Sequence, residues 1–127
     1  MDQYHRSHKK KVNSGTGGRK AKARDKKLAH MGRTFIHTKV SDEQEGVTVR
    51  IRGGKLKQKL KKALYVNVFG EDMKCKKAKI VSVVQSHNPE FVRQNVITRG
   101  AVINTEIGKV KVTNRVGQDG VVNGVLV

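Results

Sequence analysis

The chain has 127 residues, of which 28 are Lys or Arg and 10 are Asp or Glu, giving a formal net charge of +18. Self-repulsion at this charge favours a polyanionic partner, and a nucleic acid is the natural one. No stretch approaches the roughly 20 apolar residues of a membrane-spanning helix, no apolar signal-peptide core is present, and a single cysteine excludes an internal disulfide. We therefore expect a cytoplasmic protein without a membrane partner.

Residues 1–33 form a basic segment with eleven Lys or Arg, two acids and few large apolar side chains. Such a segment cannot bury enough apolar surface to offset the conformational entropy lost when its backbone becomes ordered. We predict that it is an extended N-terminal tail, disordered when free, that threads into nucleic acid.

The stretch "NSGTGGRKAKARDKK" within this segment raises the alternative of a nucleotide-binding loop. A P-loop requires G-x-x-x-x-G-K-[ST] between a strand and a helix. Here Gly17 and Gly18 lead into Arg19 and Lys20, no Ser or Thr follows directly, and no apolar run precedes. The pattern therefore favours a bendable, phosphate-neutralising tail and no small-molecule substrate.

From Thr34 onward the pattern is typical of β-structure. In "GVTVRIR", Val47, Val49 and Ile51 alternate with polar residues, which is the period of a half-buried strand. The predicted strands are 46–52, 63–69, 78–85, 95–98, 101–107, 109–115 and 121–127, with 34–40 as a weaker candidate. Short strands separated by Gly-rich turns predict an all-β fold for residues 34–127, a small closed or nearly closed β-barrel of six to eight strands.

Two stretches are ambiguous. In "GGKLKQKLKKAL" (53–64) the leucines have helical spacing while the lysines alternate, and we favour an extended basic loop or strand over a helix. Asn123-Gly124 resembles a hairpin turn, but only three residues follow it. We therefore expect Gly124 to mark a bulge or a close backbone approach.

No group of residues predicts catalysis or a metal site. The five histidines and ten acids show no H-E-x-x-H motif, no C-x-x-C motif and no carboxylate pair, so we expect no enzyme activity, no metal and no cofactor. Aromatic residues are few, and we expect Tyr65 and Phe69 to belong to the core. The sequence thus favours RNA binding through phosphates and shape, with little base recognition.

Six segments in chain order resemble the eS8 family of archaeal and eukaryotic small-subunit ribosomal proteins: "TGGRKAK", "MGR", "VRIRGG", "ALYVNVF", "KKAKIVSVV" and "ITRGAVINTEIGKVKVTNRVGQDGVVNGVLV". The resemblance covers nearly the whole chain, and the compact length is similar to the archaeal form. It implies a β-barrel with a basic N-terminal extension and a structural role in translation. It also implies location in the ribosome, with small-subunit ribosomal RNA and neighbouring ribosomal proteins as partners. The chain departs from the family pattern at Lys55, where Asn is usual, and at Val116, where Pro is common.

The resemblance points by motif to Thr16–Arg19, Gly32-Arg33 and Arg52–Gly54 as RNA contacts, and the basic blocks supply the rest. In the N-terminal segment the candidates are Arg6, Lys9, Lys10, Lys11, Thr16, Gly17, Gly18, Arg19, Lys20, Lys22, Arg24, Lys26, Lys27 and Arg33. In the 50–62 segment, which has seven cations and no acid, they are Arg50, Arg52, Gly53, Gly54, Lys55, Lys57, Lys59, Lys61 and Lys62. The alternatives are a DNA-compacting chromatin protein, a ribosome assembly factor of the same fold and a nucleotide hydrolase.

Overall fold

The structure is a computed structural model that describes residues 12–19, 30–70 and 74–127, the side chain of Arg52 excepted. The chain divides into two compact units, Met1–Phe35 and Ile36–Val127. The described residues of the second unit contain eight strands: β1 (Lys39–Val40), β2 (Glu45–Arg50), β3 (Leu56–Ala63), β4 (Tyr65–Phe69), β5 (Cys75–Gln85), β6 (Val102–Thr105), β7 (Lys109–Val112) and β8 (Asn123–Leu126). Two short helices, α1 (Pro89–Arg93) and α2 (Val116–Asp119), and a 3₁₀ turn at Arg52–Gly54 complete them.

Strands β4 to β8 form a closed barrel in chain order, which confirms the predicted barrel. Neighbouring strands are antiparallel, and β8 closes the barrel by pairing in parallel with β4. Closure requires β8 to approach β7 closely at Gly124. A Cβ placed there would lie 2.8 Å from the carbonyl oxygen of Lys111, so no larger residue fits without movement. The predicted close backbone approach at Gly124 is therefore confirmed.

The barrel core follows from the alternation of its strands. In β4 the inward residues are Val66 and Val68, and in β7 they are Val110 and Val112, all about 1% exposed or less. Because successive side chains in a strand point to opposite faces, the residues between them must lie on the outside. The structure therefore contradicts our prediction for Tyr65 and Phe69, which are exposed rather than part of the core. Their aromatic character suggested burial, but the alternation decides their side of the sheet.

Strands β1, β3 and β2, in that order, form a separate sheet, so five strands rather than six to eight make the barrel. The long antiparallel pair β2–β3, here called the ribbon, pairs Val47 with Lys59 and Val49 with Lys57. Lysines opposite valines leave no continuous apolar face for a barrel wall. This sheet joins the core at one end, through the buried Leu60 and Ala63 of β3 and the partly buried Val40 of β1.

The ambiguous stretch 53–64 is extended over most of its length, so our preferred interpretation is confirmed and the helical alternative is wrong. Pairing with β2 along nearly all of β3 supplies the backbone hydrogen bonds of the strand. A short lysine-rich helix in water would be marginally stable without tertiary packing. Leu56 and Leu60 are four residues apart and lie on the same face of the strand, but only Leu60 is buried, because it is nearer the core end of β3.

The predicted strand 95–98 is wrong. Helix α1 precedes it, begun by Pro89 and by the Asn88 side chain, which accepts a hydrogen bond from the Glu90 backbone N–H. Asn95 then takes a left-handed φ of 52°, and only Val96 makes an isolated bridge, to Lys39. The left-handed residue interrupts the extended backbone. The predicted strand 109–115 likewise ends at Val112, before α2 begins.

Candidate nucleic-acid interface

The ribbon leaves the core progressively toward its tip, and its lysines are half-buried or exposed. Along β3, Leu60 is 2% exposed and Leu56 is 70% exposed. The C-terminal end of α2 packs closely against β3: a Cβ on Gly120, the residue after the helix, would lie 3.0 Å from the Cβ of Gln58. Lys57 Nζ donates a hydrogen bond of 2.8 Å to Gln118 Oε1 of the same helix. These contacts with α2 therefore fix the direction of the ribbon.

The turn at the ribbon tip depends on two glycines. Gly53 and Gly54 have φ values of 80° and 78°, in the left-handed region that other residues rarely adopt. The Ile51 N–H donates to the carbonyl oxygen of Lys55 at 2.8 Å and closes the turn. The guanidinium of Arg50 lies beside this turn, since a Cβ on Gly54 would be 3.6 Å from its Nη2. Apart from its two chain neighbours, no described residue lies within 4 Å of a Cβ on Gly53.

The predicted cations of the ribbon fall into two groups. Near the core, Lys61 Nζ lies 3.1 Å from Glu45 Oε1, and Lys62 Nζ lies 3.5 Å from Glu45 Oε2 and 3.6 Å from Glu43 Oε2. The hydrogen bond and charge of Lys61, with a smaller contribution from Lys62, hold the pKa of Glu45 below its usual range. These two lysines are thus partly neutralised within the protein.

The second group consists of three lysines nearer the tip of the ribbon, Lys55, Lys57 and Lys59. Within the described part of the chain, Lys55 and Lys59 have no carboxylate within 4.0 Å, and Lys57 contacts a neutral amide. Lys57 and Lys59 lie on the face of the ribbon that also presents Val47 and Val49. The ribbon therefore concentrates uncompensated positive charge toward its tip.

In the N-terminal unit, the motif Thr16–Arg19 is the end of a tight turn that begins at Asn13. Val12 and Arg19 make an antiparallel bridge, and the Asn13 N–H donates to the Gly18 carbonyl oxygen at 2.9 Å. Gly15 and Gly17 have φ values of 104° and 68°, so the glycines serve the turn itself. Residues 12–19 are all exposed, as is Arg33. The predictions for Arg6, Lys9, Lys10, Lys11, Lys20, Lys22, Arg24, Lys26 and Lys27 lie outside the described residues.

The outside of the barrel presents a group of residues that the sequence analysis did not assign to a site. Tyr65 and Phe69 are 38% and 40% exposed on β4. Opposite them on β5 lie Lys79 and Cys75, and the Nζ of Lys77 sits 4.0 Å from the centroid of the Tyr65 ring. The strict alternation of "YVNVF" around two buried valines was the signal that could have identified this group.

The described residues contain no group of three or more His, Cys, Asp or Glu side chains placed to hold a metal ion. No helix in the described ranges is long and apolar enough to cross a membrane. What the described part of the chain does present is positively charged β-structure in the ribbon. Such a surface is suited to a polyphosphate backbone.

Comparison with known proteins identifies the family. The family model described as "Ribosomal protein S8e" matches residues 5–127. A protein of Staphylothermus marinus named "Small ribosomal subunit protein eS8" is 44% identical over 113 residues, covering 87% of this chain and 88% of the relative. Proteins with the same name from Methanococcus maripaludis strain C6 and Sulfolobus acidocaldarius are 48% identical over 113 residues and 41% identical over 128 residues. The Methanococcus match covers 87% of this chain and 88% of the relative, and the Sulfolobus match covers 99% of this chain and 98% of the relative. The chain belongs to the ribosomal protein S8e family.

Proposed function

We propose that this member of the S8e family is a structural constituent of the small ribosomal subunit that binds ribosomal RNA through phosphate contacts. The names of its archaeal relatives support the ribosomal role. Neighbouring ribosomal proteins are further partners, and the protein performs no catalytic step and needs no cofactor. Its contribution to translation is to hold RNA segments in place.

The observation that carries this proposal is the uneven pairing of charge along the ribbon. Lys61 and Lys62, near the core, pair with Glu45, whereas Lys55 and Lys59, nearer the tip, have no such partner among the described residues. An exposed lysine without a carboxylate can pair with a phosphate and release a condensed counterion from the RNA. The outer half of the ribbon is therefore the favoured phosphate-contacting element, and Lys61 and Lys62 are weaker candidates.

The tip of the ribbon suits close approach to an RNA backbone. Its turn is made by two consecutive left-handed glycines, and no described residue other than the chain neighbours lies within 4 Å of a Cβ on Gly53. Absence of a side chain at these positions lets a phosphate come close to the main chain, and Arg52 and Lys55 flank the two glycines in sequence. In the N-terminal unit, Thr16–Arg19 offers the same combination of a glycine turn and a cation.

Sedimentation tests the proposal directly. A tagged copy of the full chain, expressed in archaeal cells, should migrate with mature small subunits on a sucrose gradient and remain bound through a high-salt wash. The variant with Lys55, Lys57 and Lys59 all changed to Ala should show lower occupancy, because three phosphate contacts are lost. Migration with DNA would contradict the proposal, and so would confinement to precursor particles.

A further inference from the structure

We propose that the outside of the barrel binds single-stranded RNA by stacking unpaired bases on Tyr65 and Phe69. This inference rests on the proposed function, because it assumes that the protein contacts ribosomal RNA, and it adds a second kind of contact at a different place. The stacking face is defined here as Tyr65, Asn67, Phe69, Lys77 and Asn123.

The register of three strands brings these residues together. Asn67 pairs with Lys77 of β5 on one side and with Asn123 of β8 on the other. The side chains of the two asparagines meet, with Asn67 Nδ2 donating to Asn123 Oδ1 at 3.0 Å. Tyr65 and Phe69 lie two residues either side of Asn67 on the same outward face of β4. The face therefore has an amide pair between two aromatic rings.

The spacing of the rings suits separate bases. Four residues along a strand span about 13 Å, so one base cannot contact both rings. Two unpaired bases of one strand can stack on the two rings, and a base between them would face the amides of Asn67 and Asn123. Amide side chains hydrogen-bond to base edges through both a donor and an acceptor.

Neither ring is needed to fill the barrel. Val66 and Val68 supply the interior contacts of β4, whereas Tyr65 and Phe69 are each more than a third exposed. Exposed aromatic rings beside cations are the arrangement that proteins use to bind single-stranded nucleic acids. Their placement thus serves recognition better than it serves folding.

The charge near the rings favours an anionic partner, such as a nucleic acid, over a basic or neutral one. Strands β4, β5 and β8 contain no Asp or Glu, and β5 contributes Lys77 and Lys79 on the outward side. Lys79 lies 3.8 Å from Asp42, but that carboxylate is 98% exposed and the pair is screened by water. Glu71 and Asp72, between β4 and β5 in the sequence, lie outside the described residues.

Lys77 gives the face a simple way to exchange its partner. Its Nζ rests 4.0 Å from the centre of the Tyr65 ring in the free protein. An exposed contact between a cation and a ring is weaker than stacking of a base on the same ring. A base can therefore displace the ammonium, which then reaches the adjoining phosphate on its flexible stem. A duplex cannot do this, because its bases are already stacked on each other.

Tyrosine fluorescence tests the inference. The chain has two tyrosines and no tryptophan, so Tyr4→Phe leaves Tyr65 as the single tyrosine. Adding oligouridylate, a single strand with little internal stacking, to this full-length variant should quench the Tyr65 emission. An RNA duplex of equal length should bind without quenching it. Binding of oligouridylate that leaves the Tyr65 emission unchanged would overturn the inference.

Matched variants connect the signal to the rings. In the wild-type chain, Tyr65→Ala and Phe69→Ala should each weaken oligouridylate binding by about fivefold or more. Tyr65→Phe and Phe69→Tyr keep a ring and should bind as the wild type does. Because both positions are on the surface, melting curves should show that all four variants fold.

The outcomes separate this inference from the proposed function. Oligouridylate binding unchanged in the two Ala variants would overturn the stacking face and leave the proposed function standing. Unchanged RNA binding together with lost association with small subunits would assign the face to a protein partner and also overturn the inference. If the wild-type chain bound no RNA, whether single-stranded, duplex or small-subunit ribosomal RNA, both proposals would be wrong.

Discussion

In the barrel, alternate residues of β4 and β7 are almost completely buried valines, whereas the alternate valines of β2, Val47 and Val49, are only half-buried. The difference comes from what lies across the strand pair. Val110 and its neighbours face the closed interior, but Val47 and Val49 are paired with Lys59 and Lys57 on an open ribbon. The same strand pattern thus gives a core in one region and a solvated surface in the other.

This comparison separates stability from binding. Apolar burial is the main favourable contribution to folding, so the barrel should account for most of the free energy of unfolding. The outer ribbon buries little, and its cations can be changed without loss of core contacts. Substitutions in the two regions should therefore have distinguishable effects.

The largest effect should come from removing the closing strand. Deletion of residues 121–127 removes β8, which pairs with both β4 and β7, and leaves two open strand edges. Val122 is buried, whereas Val121 and Val125–Val127 are more than a third exposed, so loss of closure matters more than loss of side-chain burial. We expect the domain to unfold, with collapse of amide dispersion in ¹H–¹⁵N spectra. A deletion variant with the wild-type melting transition would contradict this role for β8.

A matched pair of leucines compares the two regions directly. Leu60 and Leu56 lie on the same strand, but the first is 2% and the second 70% exposed. Leu60→Ala should lower the free energy of unfolding by about 2–5 kcal/mol because it leaves a cavity. Leu56→Ala should change it by less than about 0.5 kcal/mol. Urea denaturation measures both, and equal losses would show that the ribbon tip is as much a part of the core as its base.

A pair of glycines tests the backbone of the ribbon. Gly53 has a φ of 80°, so Gly53→Ala should destabilise the turn by about 1 kcal/mol through backbone strain, without a clash with any described residue beyond the chain neighbours. Gly46 is in β2, and a Cβ there would make ordinary contact with the Lys59 carbonyl oxygen at 3.8 Å. Gly46→Ala should be neutral or slightly stabilising. Hydrogen exchange of the ribbon amides compares the two variants. Faster exchange in Gly46→Ala than in Gly53→Ala would contradict the left-handed backbone at the tip.

The smallest effect concerns the ion pairs at the base of the ribbon. The pKa of Glu45 is lowered in the folded protein, so its charge stabilises the fold above the ordinary pKa of the group. That contribution is lost as the pH falls through the lowered value. Glu45→Gln should therefore make the melting temperature less sensitive to pH between neutrality and about pH 3. An identical acid-side pH dependence in the variant and the wild type would argue against these ion pairs.

Much of the fold could be predicted because the barrel strands alternate clearly. The barrel, the extended stretch around Leu60 and the close approach at Gly124 follow from strand period and turn chemistry. The division into barrel and ribbon could not be predicted, because alternation in β2 and β4 looks the same until the pairing partners are known. Residues 95–98 were assigned wrongly because a left-handed Asn95 and tertiary hydrogen bonds decide their backbone.

The candidate site was predictable in its basic blocks and not in its internal arrangement. Counting charges identifies the 50–62 segment, but it cannot separate Lys61, paired with Glu45, from Lys59, which has no carboxylate nearby among the described residues. The outward direction of Tyr65 was available from the alternation of β4. The usual preference of aromatic residues for the core led to the wrong assignment.

The salt dependence of RNA affinity is the most direct test that the outer ribbon binds phosphates. The double variant Lys55→Ala with Lys59→Ala removes the same charge from the 50–62 segment as Lys61→Ala with Lys62→Ala. Among the described residues, only the second pair contacts carboxylates. The affinity of each variant for a small-subunit ribosomal RNA fragment is measured as a function of salt concentration. The first double variant should reduce the slope of log affinity against log salt by roughly 1.4–1.8, and the second should change it by clearly less. Equal slopes for the wild type and the first variant would contradict the account.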